Sequence, residues 1–484
     1  MLFNSLDFLF FIPVVFFLYW FVFNRNVRLQ NFFLVIISYI FYGWWGWRFL
    51  GLIVLSSLVD FYIGRKLSRS SNQKKRKIYL YLSIFINLGI LGFFKYYNFF
   101  IENLTASLDL IGIHLNSITL NIILPVGISF YTFQTLSYTI DIYRNKMEPS
   151  KDIISFFAFV SFFPQLVAGP IERATNLLPQ FYKERVFEYN KAVSGMRLIL
   201  WGFFQKIVIA DGCALYVNDI FSNYKDYSSL TLVFGSIMFA LQIYGDFAGY
   251  SNIAIGVSRL FGFDLMKNFN YPYFSRNIAE FWRRWHISLS TWFRDYLYIP
   301  LGGSRGSSWS KIRNVIIIFT VSGYWHGANW TFIVWGILNA LFFLPIMLRD
   351  KNKKFVGELS PDQFFPSLKT LFQILSTFFL TTLAWIFFRA QNLNHAFGYL
   401  RRIIVNEDYL TLSSDRTVNV DVKPLIFCIA FFFLVEWYNR NRESIIGGVL
   451  QSKKYLRYGM YFFILLTIIL SIKNEANGFI YFQF

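Results

Sequence analysis

The sequence predicts an all-α polytopic membrane protein. Hydrophobic residues make up 55% of its 484 residues and aromatic residues 22%, and the mean hydropathy is +0.43. Apolar runs long enough to cross a bilayer recur along the whole chain. Soluble domains do not have this composition, so we expect one integral membrane domain over residues 1–484 and no separate soluble domain.

The chain is strongly basic, with a net charge of +19. In a soluble protein this charge would suggest nucleic acid as a partner. Here the basic residues lie in loops beside apolar runs, above all from Arg65 to Lys77, which holds seven Lys or Arg and no acid. Such loops follow the positive-inside rule and meet anionic lipid head groups. We therefore expect membrane lipids and no nucleic acid as partners, with this loop in the cytoplasm.

We expect about eleven transmembrane helices, together with re-entrant helices. Residues 8–23 form the first span, because no basic region and no small-residue cleavage site marks a signal peptide. Short runs broken by Gly and Pro, such as 162–170, are typical of re-entrant helices that line a cavity. The further apolar runs are 32–47, 49–64, 78–99, 118–140, 153–168, 196–210, 229–248, 330–347, 368–388, 425–437 and 459–472.

Residues 267–313 break the pattern of apolar spans. Basic residues alternate with tryptophan, phenylalanine and tyrosine throughout the segment, which also contains His286. It is too polar to span a membrane and too aromatic for an ordinary loop. We expect an amphipathic, partly helical segment at the cytoplasmic face of the membrane.

A second histidine lies in the longest uncharged run of the chain. Residues 314–348 contain no Asp, Glu, Lys or Arg, and His326 is their only group that titrates near neutral pH. The run is too long for one span, so we expect a break near Gly323 and Gly327. An ionisable group inside a membrane is a candidate functional residue, although a neutral histidine bonded to a carbonyl is the structural alternative.

Asp246 is the only charged residue between Asp226 and Arg259. Two interpretations stay open for it. It caps a broken helix or pairs with an arginine, or it shapes a reaction cavity.

Three arginines of the 267–313 segment are candidate phosphate ligands. Guanidinium groups bind phosphate oxygens bidentately, so Arg283, Arg284 and Arg294 could hold a phosphate-bearing substrate. Contact with lipid phosphates is the alternative. No Gly-rich phosphate loop, serine nucleophile elbow or metal-ligand spacing is present. Cys213 and Cys428 lie too far apart for a metal or redox motif, and we expect buried free thiols.

Two blocks around the histidines resemble the membrane-bound O-acyltransferase (MBOAT) family. They are "FWRRWHISLSTWFRDYLYIPLGGSR" (281–305) and "SGYWHGANWTFIVWG" (322–336). Within the family, the blocks resemble the branch of the alginate O-acetyltransferase membrane subunit. One departure is Asn252, where that branch would be expected to carry Asp, which leaves Asp246 as the local acid. Further blocks that resemble the branch are 123–144, 162–173, 244–256 and 479–484.

The resemblance implies a fold and an activity. The MBOAT fold is a ring of tilted helices around a thinned centre with a central tunnel. The family's histidine maps to His326 and its partner polar position to His286. The donor would be acetyl-coenzyme A or another acyl thioester, with no cofactor bound. The residues assigned to donor or substrate binding are Arg283, Arg284, Arg294, Trp285, Asp246 and Asn329.

The main hypothesis is an O-acyltransferase in the bacterial cytoplasmic (inner) membrane. It would move an acetyl group from a cytoplasmic thioester to an extracytoplasmic polysaccharide, with a separate SGNH or esterase-like transferase as partner. His326 would be the general base, and His286 would assist by hydrogen bonding or by orienting the thioester. The alternatives are D-alanyl transfer to teichoic acid from an acyl carrier protein, a proton-coupled transporter, and a non-catalytic scaffold.

Overall fold

All regular structure in the described part of the chain is helical, with no β-strand there, which confirms the all-α class. The computed structural model describes residues 1–114, 119–167, 169–352, 354–355, 364–405, 422–441, 453–472 and 478–480. Most of the predicted block 479–484 lies outside these ranges.

The chain divides into two compact units. The first comprises Met1–Met196 and Ala254–Met266, and the second comprises Arg197–Ile253 and Lys267–Phe484. Both histidines singled out in the sequence belong to the second unit. The single domain expected over residues 1–484 stays a prediction.

The helices of the first half alternate long apolar segments with short ones. In the described residues up to 203, the α-helices are α1 (Leu6–Phe17), α2 (Val27–Gly46), α3 (Leu50–Arg69), α4 (Gln73–Leu91), α5 (Tyr97–Asp109), α6 (Ile128–Tyr143), α7 (Ile153–Ser161), α8 (Phe163–Leu166), α9 (Ala174–Leu177) and α10 (Tyr189–Phe203).

The second half carries the candidate site. Its described α-helices are α11 (Asp211–Ser222), α12 (Ser229–Leu260), α13 (Ile278–Arg284), α14 (Ile287–Phe293), α15 (Ser308–His326), α16 (Trp330–Leu348), α17 (Leu368–Arg389), α18 (Leu393–Val405), α19 (Lys423–Asn439) and α20 (Lys454–Ser471). Two π-helical turns, Phe204–Ala210 and Arg294–Tyr298, carry Lys206 and Arg294.

Several helical stretches are long and apolar enough to cross a membrane, so the chain is a multi-pass membrane protein. Val27–Arg69 is 43 residues long and contains two helices, so its length suits two crossings. Among the described residues, seven stretches meet this criterion, and the predicted count of about eleven is not confirmed. The other six are Gln73–Asp109, Tyr189–Ser222, Ser229–Leu260, Trp330–Leu348, Leu368–Arg389 and Lys454–Ser471.

The uncharged run 314–348 contains the expected break, and it forms most of α15 and all of α16. The helices approach so closely that a Cβ at Gly323 would lie 2.2 Å from the carbonyl oxygen of Phe332. Gly323 is therefore a packing residue inside α15, and the chain turns at Gly327. Small residues permit such contact between membrane helices. This turn places His326 at the C-terminal end of α15.

The 267–313 segment is partly helical, as expected. It contains a 3₁₀ turn at Pro272–Phe274, the two short helices α13 and α14, and the π-helical turn Arg294–Tyr298. Its position at the cytoplasmic face stays a prediction.

Candidate active site

His286 lies between α13 and α14, and its side chain is buried. Its backbone is left-handed, with φ 41° and ψ 56°, which is uncommon for a residue other than glycine. The imidazole packs against the rings of Phe247, Phe269 and Trp325, at centroid distances of 4.5, 6.4 and 6.2 Å. Residues in sparsely populated conformations are held by their surroundings and concentrate at functional sites.

The two ring nitrogens of His286 have different environments. Nδ1 lies 3.1 Å from Asn268 Oδ1 and 3.4 Å from Ser288 Oγ. Nε2 has no hydrogen-bond partner among the described residues. Burial lowers the pKa of His286 to about 3. The imidazole is therefore neutral at physiological pH, with one nitrogen that can accept a hydrogen bond.

His326 is the last residue of α15 and is 4% exposed. Its ring meets those of Trp325, Trp335 and Phe388, at centroid distances of 4.9, 5.1 and 5.2 Å. Trp325 also contacts His286, so a single indole touches both imidazoles. The structure thus brings together two histidines that are forty residues apart in sequence.

Arg283 and Arg284 are adjacent in sequence but engage different partners. The buried Arg284 donates to Glu280 Oε1 at 2.9 Å, and Glu280 also pairs with Arg276. The exposed Arg283 donates to the carbonyl oxygens of Asn352 and Phe355 at 2.7 and 3.0 Å. Arg284 and Arg276 thus share one buried carboxylate. Phosphate binding by these arginines stays a prediction.

The other residues assigned to donor binding have structural contacts. Arg294 is exposed and pairs with Asp295 at 2.7 Å. Trp285 is buried, and its ring centroid lies 5.0 Å from that of Trp385. Asn329 caps α16 by accepting the backbone N–H of Thr331 at 3.0 Å. A role for any of them in binding stays a prediction.

Asp246 forms a buried ion pair with a lysine. Its Oδ1 lies 2.8 Å from Lys206 Nζ, which also contacts Asp211 Oδ1 at 2.8 Å. Asp246 Oδ2 accepts the backbone N–H of Ile480 at 2.6 Å. The carboxylate therefore joins α12 to the π-helical turn Phe204–Ala210 and to the described end of the chain. Pairing with a cation is one of the two interpretations weighed for it, although the partner is a lysine and not an arginine.

Comparisons with known proteins identify the family. A model of the membrane-bound O-acyltransferase family matches residues 144–352. The probable alginate O-acetylase AlgI of Azotobacter vinelandii is 39% identical over 82% of this chain and 76% of its own. The protein of the same name from Pseudomonas putida is 35% identical over the full length of both chains. The peptidoglycan O-acetyltransferase of Helicobacter pylori is 34% identical over 84% of this chain and 80% of its own.

The chain belongs to the membrane-bound O-acyltransferase family. It is an O-acyltransferase, as the sequence predicted, and its similarity to the alginate O-acetylases confirms the predicted branch. The matched range contains both His286 and His326, the two residues onto which the resemblance maps the reaction.

Sequence reasoning missed two residues of this part of the molecule. Lys206 is the only charged residue between Arg197 and Asp211. A lone cation in one apolar run and a lone acid in another are a signal for a buried pair, and this signal could have found it. Asn268, the partner of His286, gives no such signal, because an asparagine in a polar segment is unremarkable and the contact spans 18 residues.

Proposed function

We propose that this enzyme takes an acetyl group from a cytoplasmic thioester and uses it for O-acetylation of an extracytoplasmic polysaccharide. The names of its relatives, alginate O-acetylase and peptidoglycan O-acetyltransferase, support acetyl as the group and a polysaccharide as the final acceptor. The observation that carries the proposal is that two buried histidines, His286 and His326, both contact the indole of Trp325 in a chain of this family. We place the enzyme in the bacterial cytoplasmic membrane.

His326 acts as the general base in this proposal. The oxygen of an acceptor hydroxyl attacks the thioester carbonyl carbon as its proton moves to the imidazole of His326. The tetrahedral intermediate then collapses, the C–S bond breaks, and the thiolate takes the proton from the imidazolium. The products are an ester and a thiol, with no net gain or loss of protons. A general base of this kind contributes about 10²–10⁴ in rate.

The donor is acetyl-coenzyme A in this proposal, which enters from the cytoplasmic side beside the basic segment 267–313. Of the three candidate arginines, Arg284 is buried against Glu280. Arg283 and Arg294 are exposed, so they are better placed to meet the phosphates of a soluble donor. A carrier protein with a thioester-bearing arm is the alternative donor.

A second protein receives the acetyl group on the outer face. The longest weakly apolar stretches are 264–313, which we place in the cytoplasm, and 389–423. The latter is too short for an independent polymer-binding domain without disulfides or metal, and it contains no cysteine. We therefore propose a separate extracytoplasmic SGNH or esterase-like transferase with its own Ser–His–Asp site.

Reconstitution in liposomes tests the donor and the partner together. The protein is inserted into the liposome membrane in both orientations. Acetyl-coenzyme A is enclosed inside the liposomes, and polysaccharide is supplied outside. We expect release of the coenzyme A thiol, with polymer acetylation only when the second transferase is added. Efficient acetylation by this chain alone would contradict the relay, and use of acetylated carrier protein in place of acetyl-coenzyme A would contradict the donor.

A further inference from the structure

Asn268 is a buried residue at the centre of a hydrogen-bond network around His286. Its Oδ1 accepts the backbone N–H of Ser288 at 3.3 Å and the hydroxyl of Ser288 at 2.9 Å, and it lies 3.1 Å from His286 Nδ1. Its Nδ2 donates to Ser251 Oγ at 3.0 Å. Three polar atoms of two residues, Ser288 and His286, therefore converge on one side-chain oxygen.

The contact with Ser288 fixes which way the amide of Asn268 points. A backbone N–H can only donate, so the side-chain atom that faces it must be the oxygen. A flipped amide would set its NH₂ group against this donor, and the backbone N–H of Ser288 would lose its acceptor. The atom that lies 3.1 Å from His286 Nδ1 is therefore the amide oxygen, whichever nitrogen of the histidine carries the hydrogen.

The orientation of the amide in turn fixes the tautomer of His286. A neutral imidazole carries one hydrogen, so one nitrogen donates and the other accepts. Nδ1 faces an acceptor oxygen and must therefore carry the hydrogen. Nε2 then presents a lone pair. Because burial lowers the pKa of His286 to about 3, a second proton is absent at physiological pH.

Backbone hydrogen bonds near Asn268 hold this residue beside His286. Asn268 accepts the backbone N–H of Ile287 at 2.9 Å, and Asn270 donates its backbone N–H to Arg284 at 2.9 Å. Two backbone bonds thus tie residues 268–270 to the chain on both sides of His286. The rings of Phe247, Phe269 and Trp325 pack against the imidazole and hold it beside Asn268.

We propose that Asn268 is a positioning residue that holds His286 in the Nδ1-protonated tautomer, so that Nε2 accepts a hydrogen bond from the substrate hydroxyl. This tautomer cannot donate from Nε2 to a thioester carbonyl, so His286 orients the acceptor and not the donor. The assignment of the tautomer stands on hydrogen-bond geometry, whereas the identity of the group bound by Nε2 rests on the proposed function.

Nitrogen NMR of ¹⁵N-histidine-labelled protein tests the tautomer directly. The chain has only four histidines, and His286→Gln assigns the resonances. We expect His286 Nδ1 in the protonated range and Nε2 in the unprotonated range at pH 7. The reverse pattern in the wild-type protein would overturn the inference, and this measurement needs no variant of Asn268.

Variants of Asn268 test whether this residue determines the tautomer of His286. Asn268→Leu removes the acceptor, so the proton should redistribute to Nε2 and acyl transfer should fall up to about tenfold, the effect of losing one hydrogen bond to the substrate. Asn268→Asp keeps an acceptor and should keep Nδ1 protonated. Ser251→Ala is the matched control, since it removes a polar partner of Asn268 but no acceptor of His286. An unchanged tautomer in folded Asn268→Leu, or an altered one in Ser251→Ala, would overturn the inference.

The NMR result and the activity result can fail separately. If the tautomer is as stated but His286→Gln keeps wild-type acyl transfer, the role of His286 in the proposed function is wrong and the tautomer assignment stands. If Nε2 is protonated, the positioning role of Asn268 is wrong whatever the activity.

Discussion

Lys206 Nζ lies 2.8 Å from Asp246 Oδ1, and the two side chains are 1% and 3% exposed. A charge buried in this way is costly to leave alone, so removing one partner of such a pair destabilises a protein by about 3–5 kcal/mol. Asp246 also accepts the backbone N–H of Ile480, so the pair stabilises the packing of residues 478–480 against α12.

Asp246→Leu should lower the midpoint of thermal unfolding in detergent, because the buried Lys206 would lose one of the two carboxylates that it contacts among the described residues. We expect the free energy of unfolding to fall by about 3 kcal/mol, the lower end of the range for breaking a buried pair. The double variant Lys206→Met, Asp246→Leu should recover most of the stability. A single variant that is as stable as the wild type but inactive would assign Asp246 to the reaction instead.

Arg283→Gln should raise the KM for acetyl-coenzyme A more than it lowers kcat, because an exposed guanidinium that holds phosphate in ground and transition states alike contributes uniform binding. Arg276→Gln is the control, since Arg276 is an arginine of the same segment that pairs with Glu280. An unchanged KM in Arg283→Gln would assign this arginine to structural or lipid contacts. Arg284→Gln should mainly reduce stability, because Glu280 loses a partner.

Gly323→Ala should displace α15 from α16 and move His326, since the new Cβ would lie 2.2 Å from the Phe332 carbonyl oxygen. We expect a loss of about 1–3 kcal/mol in stability, as for overpacked cores, and a fall in acyl transfer. Gly459→Ala in α20 is the control, because nothing lies within 4 Å of its added Cβ. Equal behaviour of the two variants would contradict the close packing of the hairpin.

The stability of the folded state should depend on pH through His286. Burial lowers its pKa to about 3 from an ordinary value of 6.5, so between these values the unfolded chain binds more protons than the folded one. The contribution of the neutral His286 to the free energy of unfolding is therefore fully present above pH 6.5, and it is lost as the pH falls toward 3. Between pH 7 and 4.5, the unfolding midpoint should drop less in His286→Gln than in the wild type. Equal drops would show that His286 does not carry this dependence.

Local patterns in the sequence were sufficient for much of the fold. The uncharged run 314–348 is much longer than the roughly 20 residues of one membrane span, so its break and the position of His326 beside that break followed from length and glycine content. The asparagine before Trp330 could also have been identified as the cap of α16, because Asn is a preferred N-cap residue.

Contacts between distant residues were not accessible in the same way. The pairing of His286 with Asn268 depends on how the helices pack, and residue types alone do not specify it. For Asp246 and Lys206 the sequence offers two lone charges in apolar runs, and the structure supplies the contact between them. Asn252, where Asp was expected, donates to the side chain of Gln205 at 2.7 Å. Asn252 thus makes a neutral contact, and Asp246 remains the acid of this part of α12. The sequence did not indicate Gln205 as the partner of Asn252.

The most direct test of a histidine-based acyl transfer is the rate at which purified His326→Ala releases thiol from radiolabelled acetyl-coenzyme A and transfers the label to an acceptor hydroxyl. The control is His114→Ala, because the side chain of His114 is 83% exposed and belongs to the first unit, whereas both candidate histidines belong to the second. We expect His326→Ala to lose about 10²-fold or more in rate while its unfolding midpoint stays close to that of the wild type, and His114→Ala to keep full activity. Transfer at the wild-type rate by folded His326→Ala would contradict the role of His326 as the base.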